Sequence, residues 1–363
     1  LALDANTTGQ FNTAVGSNAL RFNTTASQNN AFGLQALDAN TTGTFNNAFG
    51  VNALGANITG SYNTAFGHES LLSSTTASEN TAVGYTALSS VTTGGNNTAI
   101  GNQCLASNTT AQFNSAVGHH ALEKNTTGAS NTAVGSDCLR ENTTASNNTA
   151  IGKGALTNNT TGTQNTAVGA SALDANTTGL NNSCLGQGAL GANTTGNNNT
   201  AIGRFALNEN TTGIENVAVG LSALRVNSTA NYNTGIGKSA LELNTTGAQN
   251  VAVGATTLDA CTTGNNETAV GFTALGALTT GIDNSAFGAY AGQNITTGQT
   301  NVAIGKSSLH DCTTGDNNVA VGVNALFENT TADNNTAVGY FALKANTTGT
   351  QNTAVGQSAM ESN

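Results

Sequence analysis

Asn165-Thr166-Ala167-Val168-Gly169-Ala170-Ser171-Ala172-Leu173-Asp174-Ala175-Asn176-Thr177-Thr178-Gly179 decides the fold, because the same pattern returns every 17 residues along the chain. Gly16, Gly33, Gly50 and their successors, including Gly135, Gly169 and Gly220, keep that interval without slippage to Gly356, 21 glycines in all. Counted from this glycine the unit reads G-x-x-A-L-x-x-N-T-T-G-x-x-N-T-A-V. Such a repeat is one supersecondary unit that buries its apolar face only by stacking on its neighbours.

The columns of the repeat differ in what they accept. The residue before the glycine is always apolar, as in Val134, Val168, Val219 and Val253. Leu stands four after it, Leu173 and Leu224 among them, with Gly292 and Met360 as the exceptions. Thr stands nine after it in every complete repeat, including Thr178. Asn stands four before it, as in Asn131 and Asn165, except where Glu267 takes its place. The x positions mix charges, aromatics and small polar residues, as solvent-facing positions do when packing does not choose them.

Seventeen residues are too few for two helices and a turn, and Asn, Thr, Val and Gly are weak helix formers. The alternation in Asn165-Thr166-Ala167-Val168 puts Thr166 and Val168 on one face of a short strand. A second extended stretch around Asn176-Thr177-Thr178 is expected to return the chain, with glycines at the corners. The expected fold class is therefore all-β: a parallel β-solenoid of about 21 coils at ~4.8 Å spacing, roughly 100 Å along its axis. Like residues then stack on like, so the Asn columns become amide ladders and the Thr and Val columns β-branched stripes.

Composition excludes several functions. Net charge is −10, only 8% of residues are charged, and Lys and Arg are scattered singly, which disfavours nucleic acid as a partner. No stretch is long and apolar enough for membrane insertion, and no amino-terminal signal pattern is present. The unbroken phase from Leu1 to Asn363 reads as one repeat array. It starts and stops in mid-coil without a polar cap, so an excerpt of a longer fibrous protein is expected.

Sites of chemistry are sparse. Cys104 and Cys138 share a column two coils apart, Cys261 and Cys312 another three coils apart, and both separations exceed the ~7 Å reach of a disulfide. Cys184 stands alone at an Ala position. Gly237-Lys238-Ser239 and Gly305-Lys306-Ser307 lack the earlier glycine of a phosphate loop. His68, His119, His120 and His310 are read as surface residues without a Cys or carboxylate at ligand spacing, so no metal and no cofactor are expected. Sequons at Asn6, Asn23, Asn40, Asn125 and Asn346 fall in a ladder column too tightly spaced for every one to carry a glycan. No catalytic residues emerge; a β-helix enzyme would interrupt the repeat with loops and clustered carboxylates, and no coil carries an insertion.

Asn131-Thr132-Ala133-Val134-Gly135, and more closely Asn216-Val217-Ala218-Val219-Gly220, Asn250-Val251-Ala252-Val253-Gly254 and Asn301-Val302-Ala303-Ile304-Gly305, resemble the S-V-A-I-G head repeats of trimeric autotransporter adhesins, found also in phage tail fibres. The resemblance runs through the whole chain, with a period of 17 where the common head repeat has fourteen. It implies a left-handed β-roll in a homotrimer, with Val217 and Val219 facing partner chains and Ala218 and Leu224 filling the roll. It further implies an extracellular fibre or adhesin of a bacterial surface or virion that mediates attachment, with the receptor or glycan unspecified. The thin filling of each coil agrees with self-association: burying a Val or Leu contributes roughly 1.5 to 3 kcal/mol against about 1 to 2 kcal/mol of backbone entropy per residue. The alternatives are an ice-binding solenoid, on condition that a flat Thr column stands bare, and a purely structural extracellular filament subunit.

Overall fold

The computed structural model describes residues 1–362. They form two compact units, Leu1–Asn181 and Asn182–Asn363. Each is a parallel β-solenoid, and no helix occurs among the described residues. The first unit carries ten three-residue strands, from β1 (Thr13–Val15) to β10 (Thr166–Val168); the second carries eleven, from β11 (Ser183–Leu185) to β21 (Thr353–Val355).

Within each unit the register is that of the repeat. Thr13 lies opposite Asn30, Ala14 opposite Ala31 and Val15 opposite Phe32, and in the second unit Val217, Ala218 and Val219 lie opposite Thr234, Gly235 and Ile236. The central residue of each strand points inward, and the fully buried Ala31, Ala133, Ala218 and Ala303 show why this column is small. Against it pack the Ala three after the glycine and the Leu four after it; Leu173 and Leu224 are fully buried. This narrow Ala-Ala-Leu filling is the core of both units.

The glycine column has a steric cause. Gly135, Gly169 and Gly220 have φ of 135°, 139° and 136°, a region that side chains disfavour. A Cβ at Gly220 would also lie 2.4 Å from the carbonyl oxygen of Gly237 in the next coil. The left-handed corners are a different matter. Glycines were expected there, but Leu173 (φ 54°), Leu224 (φ 51°) and the other column leucines adopt that conformation themselves. A residue in this region costs of the order of 1 kcal/mol, which the burial of each Leu exceeds.

The second extended stretch does not form a strand, which corrects the expected coil of two strands and two turns. Thr126 N, Thr127 N and the Thr126 hydroxyl all donate to the single carbonyl of Thr143, at 2.8, 3.3 and 2.9 Å. Three donors converging on one oxygen replace a ladder of paired groups, so the segment bends where Asn-Thr-Thr alone looks extended.

Two asparagine columns complete the interior. In one, Asn40 Nδ2 donates to Asn23 Oδ1 at 2.9 Å and to Gly43 O at 3.0 Å. In the other, which holds Asn131 and Asn165, Asn131 Oδ1 accepts from Asn148 N at 3.0 Å while Asn131 Nδ2 donates to Ala145 O at 2.9 Å. Asn131 and Asn165 are fully buried, as are the sequon residues Asn23, Asn40 and Asn125. Burial of these amides is tolerated because nearly all of their polar atoms find a partner; Asn57 Oδ1 and Asn244 Oδ1, where the next coil holds Ser74 and Cys261, are left without one.

Candidate functional site

With the interior closed, function must be sought in the columns that face out. Each strand presents its first and third residues to the surface. Val134, Ile151 and Phe66 in the first unit and Ile202 and Ile304 in the second are 39, 40, 56, 41 and 41% exposed. Val168, Val217, Val219 and Val253 are half-buried on the same face of their strands. Phe32, Phe49 and Phe66 stack within this column at centroid separations of 4.7 and 5.5 Å. The column is thus a continuous apolar stripe on the outside of each unit. Scattered apolar residues are ordinary on a protein surface, but contiguous ones mark an interaction face.

Thr178 and its equivalents form a second outward column, exposed in every complete repeat of both units. Their neighbours one residue earlier are bound: Thr24, Thr143 and Thr245 donate their hydroxyls to the carbonyls of Thr41, Thr160 and Thr262. Only one of the two Thr columns therefore offers its hydroxyls outward.

Charged side chains pair down the coils. Arg21 meets Asp38 at 3.0 Å, Lys124 meets Glu141 at 2.6 Å, and Arg225 bridges Glu209 and Glu242 at 3.0 Å each. Partners sixteen or seventeen residues apart in sequence are neighbours in space, so positions without pattern inside one repeat acquire one between repeats.

The same geometry overturns the reading of the histidines as lacking carboxylate partners. His68 Nδ1 lies 3.8 Å from Glu69, and His310 Nδ1 lies 2.7 Å from Asp311. His120 Nδ1 lies 3.7 Å from Glu123 and 3.6 Å from Asp137, in the next coil. The rings of His119 and His120 stack at 3.6 Å. Ligand atoms of His119, His120 and Asp137 all lie within 4.8 Å of one another. The 17-residue offset from His120 to Asp137 was the available signal, and motif spacing within one repeat does not contain it.

All five cysteines are buried and the described residues contain no disulfide. Burial pushes the thiols of Cys104 and Cys261 up to about 12 and that of Cys312 to about 11, so none is a poised nucleophile. Burial likewise raises the Glu267 carboxyl to about 8, only partly offset by hydrogen bonds from Asn284. No described helix is long and apolar enough to cross a membrane. No family model matches the chain, and no curated protein matches it significantly.

Proposed function

We propose that the chain is a non-catalytic segment of an extracellular fibre or adhesin, that it works as a homotrimer of left-handed β-rolls, and that it projects from a bacterial surface or virion to mediate attachment. The observation that carries this reading is the apolar stripe before the glycine column, which holds Val, Ile, Leu or Phe in every coil while the outward position just after the glycine varies freely. Selection for apolar character without selection for one shape is what a packed interface between identical chains requires, since a stripe that meets its own copies needs dryness before detail. The resemblance of Asn216-Val217-Ala218-Val219-Gly220 to adhesin head repeats supplies the threefold order.

Sedimentation equilibrium tests it. A mass three times that of the chain is expected, and a monomer at all concentrations would defeat the proposal. Val219→Asp should weaken association far more than Leu221→Asp, because Leu221 is an exposed residue outside the stripe. Equal effects would misplace the interface.

A second reading is favoured by one observation: the bare Thr column at Thr178 and its equivalents could order water as an ice-binding face. Thermal hysteresis at high protein concentration would support it, and its absence would remove it.

A further inference from the structure

We propose that His119, His120 and Asp137 form a binding site for a divalent transition-metal ion on the surface of the first unit. The argument starts from distances that hydrogen bonding does not explain. His120 Nδ1 stands 3.6 Å from Asp137 Oδ1 and 3.7 Å from Glu123 Oε2, beyond the 2.7–3.2 Å range of a nitrogen-to-oxygen hydrogen bond. Donors held about 2.0–2.1 Å from a tetrahedral ion lie about 3.4 Å from one another, close to the observed gap.

The groups around the cluster orient it for that task. His120 Nε2 is 2.6 Å from Gln103 Oε1, an acceptor, so the ring proton sits on Nε2 and the Nδ1 lone pair is directed at the carboxylates. The Ser136 hydroxyl donates to Asp137 Oδ2 at 2.8 Å, leaving Oδ1 as the oxygen that faces His120. A ligating histidine with its second nitrogen engaged, and a ligating carboxylate with its second oxygen engaged, is the usual outer shell of a metal site. Arg140 Nε holds Glu123 at 2.8 Å and its Nη1 lies 3.9 Å from Asp137 Oδ1, so Glu123 supports the site from beside it and the guanidinium is the cation with which an ion competes for Asp137. Exposed His119, stacked on His120, brings a second imidazole whose ligand atom lies within 4.8 Å of the other two. Two imidazoles and one carboxylate favour zinc, nickel, copper or cobalt over calcium or magnesium, whose ligands are oxygens.

Titration of the 363-residue chain with cobalt(II), read by visible absorption, and with zinc, read by calorimetry, tests the site. One ion per chain is expected. His120→Gln and Asp137→Asn should each weaken it at least tenfold, and Gln103→Ala should weaken it about tenfold through loss of ring orientation. His310→Gln, at the lone histidine of the second unit, should leave the affinity unchanged. All these side chains lie on the surface, and circular dichroism verifies that each variant keeps the fold. Absence of saturable binding, or binding that survives His120→Gln and Asp137→Asn, would overturn the proposal; so would loss of binding on His310→Gln.

Discussion

Within the second unit, the stretch from Asn193 to Asn244 and the stretch from Cys261 to Cys312 solve the same problem in opposite ways. In the first, Asn210, Asn227 and Asn244 each donate to the asparagine of the preceding coil at 2.9, 3.0 and 2.9 Å. In the second, the same column holds Cys261, Leu278, Ile295 and Cys312, all fully buried and apolar. The backbone does not register the change: Thr245 N meets Thr262 O at 2.9 Å, and Thr279 N meets Thr296 O at 2.8 Å. What differs is the turn carbonyl ten after the glycine. Gly213 O accepts amides from Asn210 and Asn199, whereas Gly298 O accepts one, from Asn284. The strands and the glycine column hold the coil, and this interior column has to agree with its neighbours more than it has to be asparagine.

The sharpest way to break that comparison is to place the wrong filler in each stretch. Asn227→Leu strands the Asn210 oxygen and one N–H of the Asn244 amide, whose other bond to Gly247 O remains, each at about 1–3 kcal/mol, for a loss of about 2–6 kcal/mol. Leu278→Asn should cost less, because its amide can turn to the carbonyl of Gly281 as other asparagines of the column do in their own coils. Hydrogen exchange of the flanking amides is the appropriate measurement, since stacked repeats open locally.

Next in size is a change that should not distinguish the stretches. Leu241→Ala beside the ladder and Leu275→Ala beside the apolar column each empty a fully buried site, at about 2–5 kcal/mol. Equal losses by the same measurement would place the difference in the asparagine column alone.

Glu267 sharpens the comparison through pH. It lies in the second asparagine column of the apolar stretch, where the equivalent asparagines donate to the turn carbonyl of the next coil. For Glu267 that carbonyl is Gly281 O, and Leu278 beside it offers no donor either. Among the described residues no hydrogen bond reaches Gly281 O, so a protonated Glu267 is the group placed to supply one. The folded carboxyl titrates at about 8 against an ordinary value of 4.5. Between those values the folded state holds a proton that the unfolded chain has released. Stability of this region should accordingly be greatest at and below about pH 4.5 and fall steadily as pH rises to about 8. Glu267→Gln, a permanently neutral isostere, should flatten that slope and stabilise the region at pH 8; an unchanged profile would refute the assignment. The smallest effect is expected from Cys312→Val, a near-isosteric swap inside the apolar column, at under about 1.5 kcal/mol by denaturant unfolding.

Much of this was legible in the primary structure, because a strict period converts sequence distance into spatial distance. The stacking of Ala133 on Ala150, the ladder through Asn23 and Asn40, and the separation of Cys104 from Cys138 all follow from counting seventeens. Local conformation was less legible. The need to return the chain suggests an extended stretch at Asn-Thr-Thr, where convergent donors bend it instead, and nothing in a leucine announces a left-handed backbone. The histidine and carboxylate cluster was hidden for a third reason: its members lie in two repeats at positions that vary, so it appears only when columns are read downward.

The parallel stacking also bears on inheritance. Because each coil bonds only to the one before and the one after within its unit, gain or loss of a whole coil by recombination between near-identical codon runs would leave every type of contact in place. Loss of a single codon would instead leave one coil a residue short and put its residues out of column with the coils on either side. Selection on such a gene acts on length in whole turns.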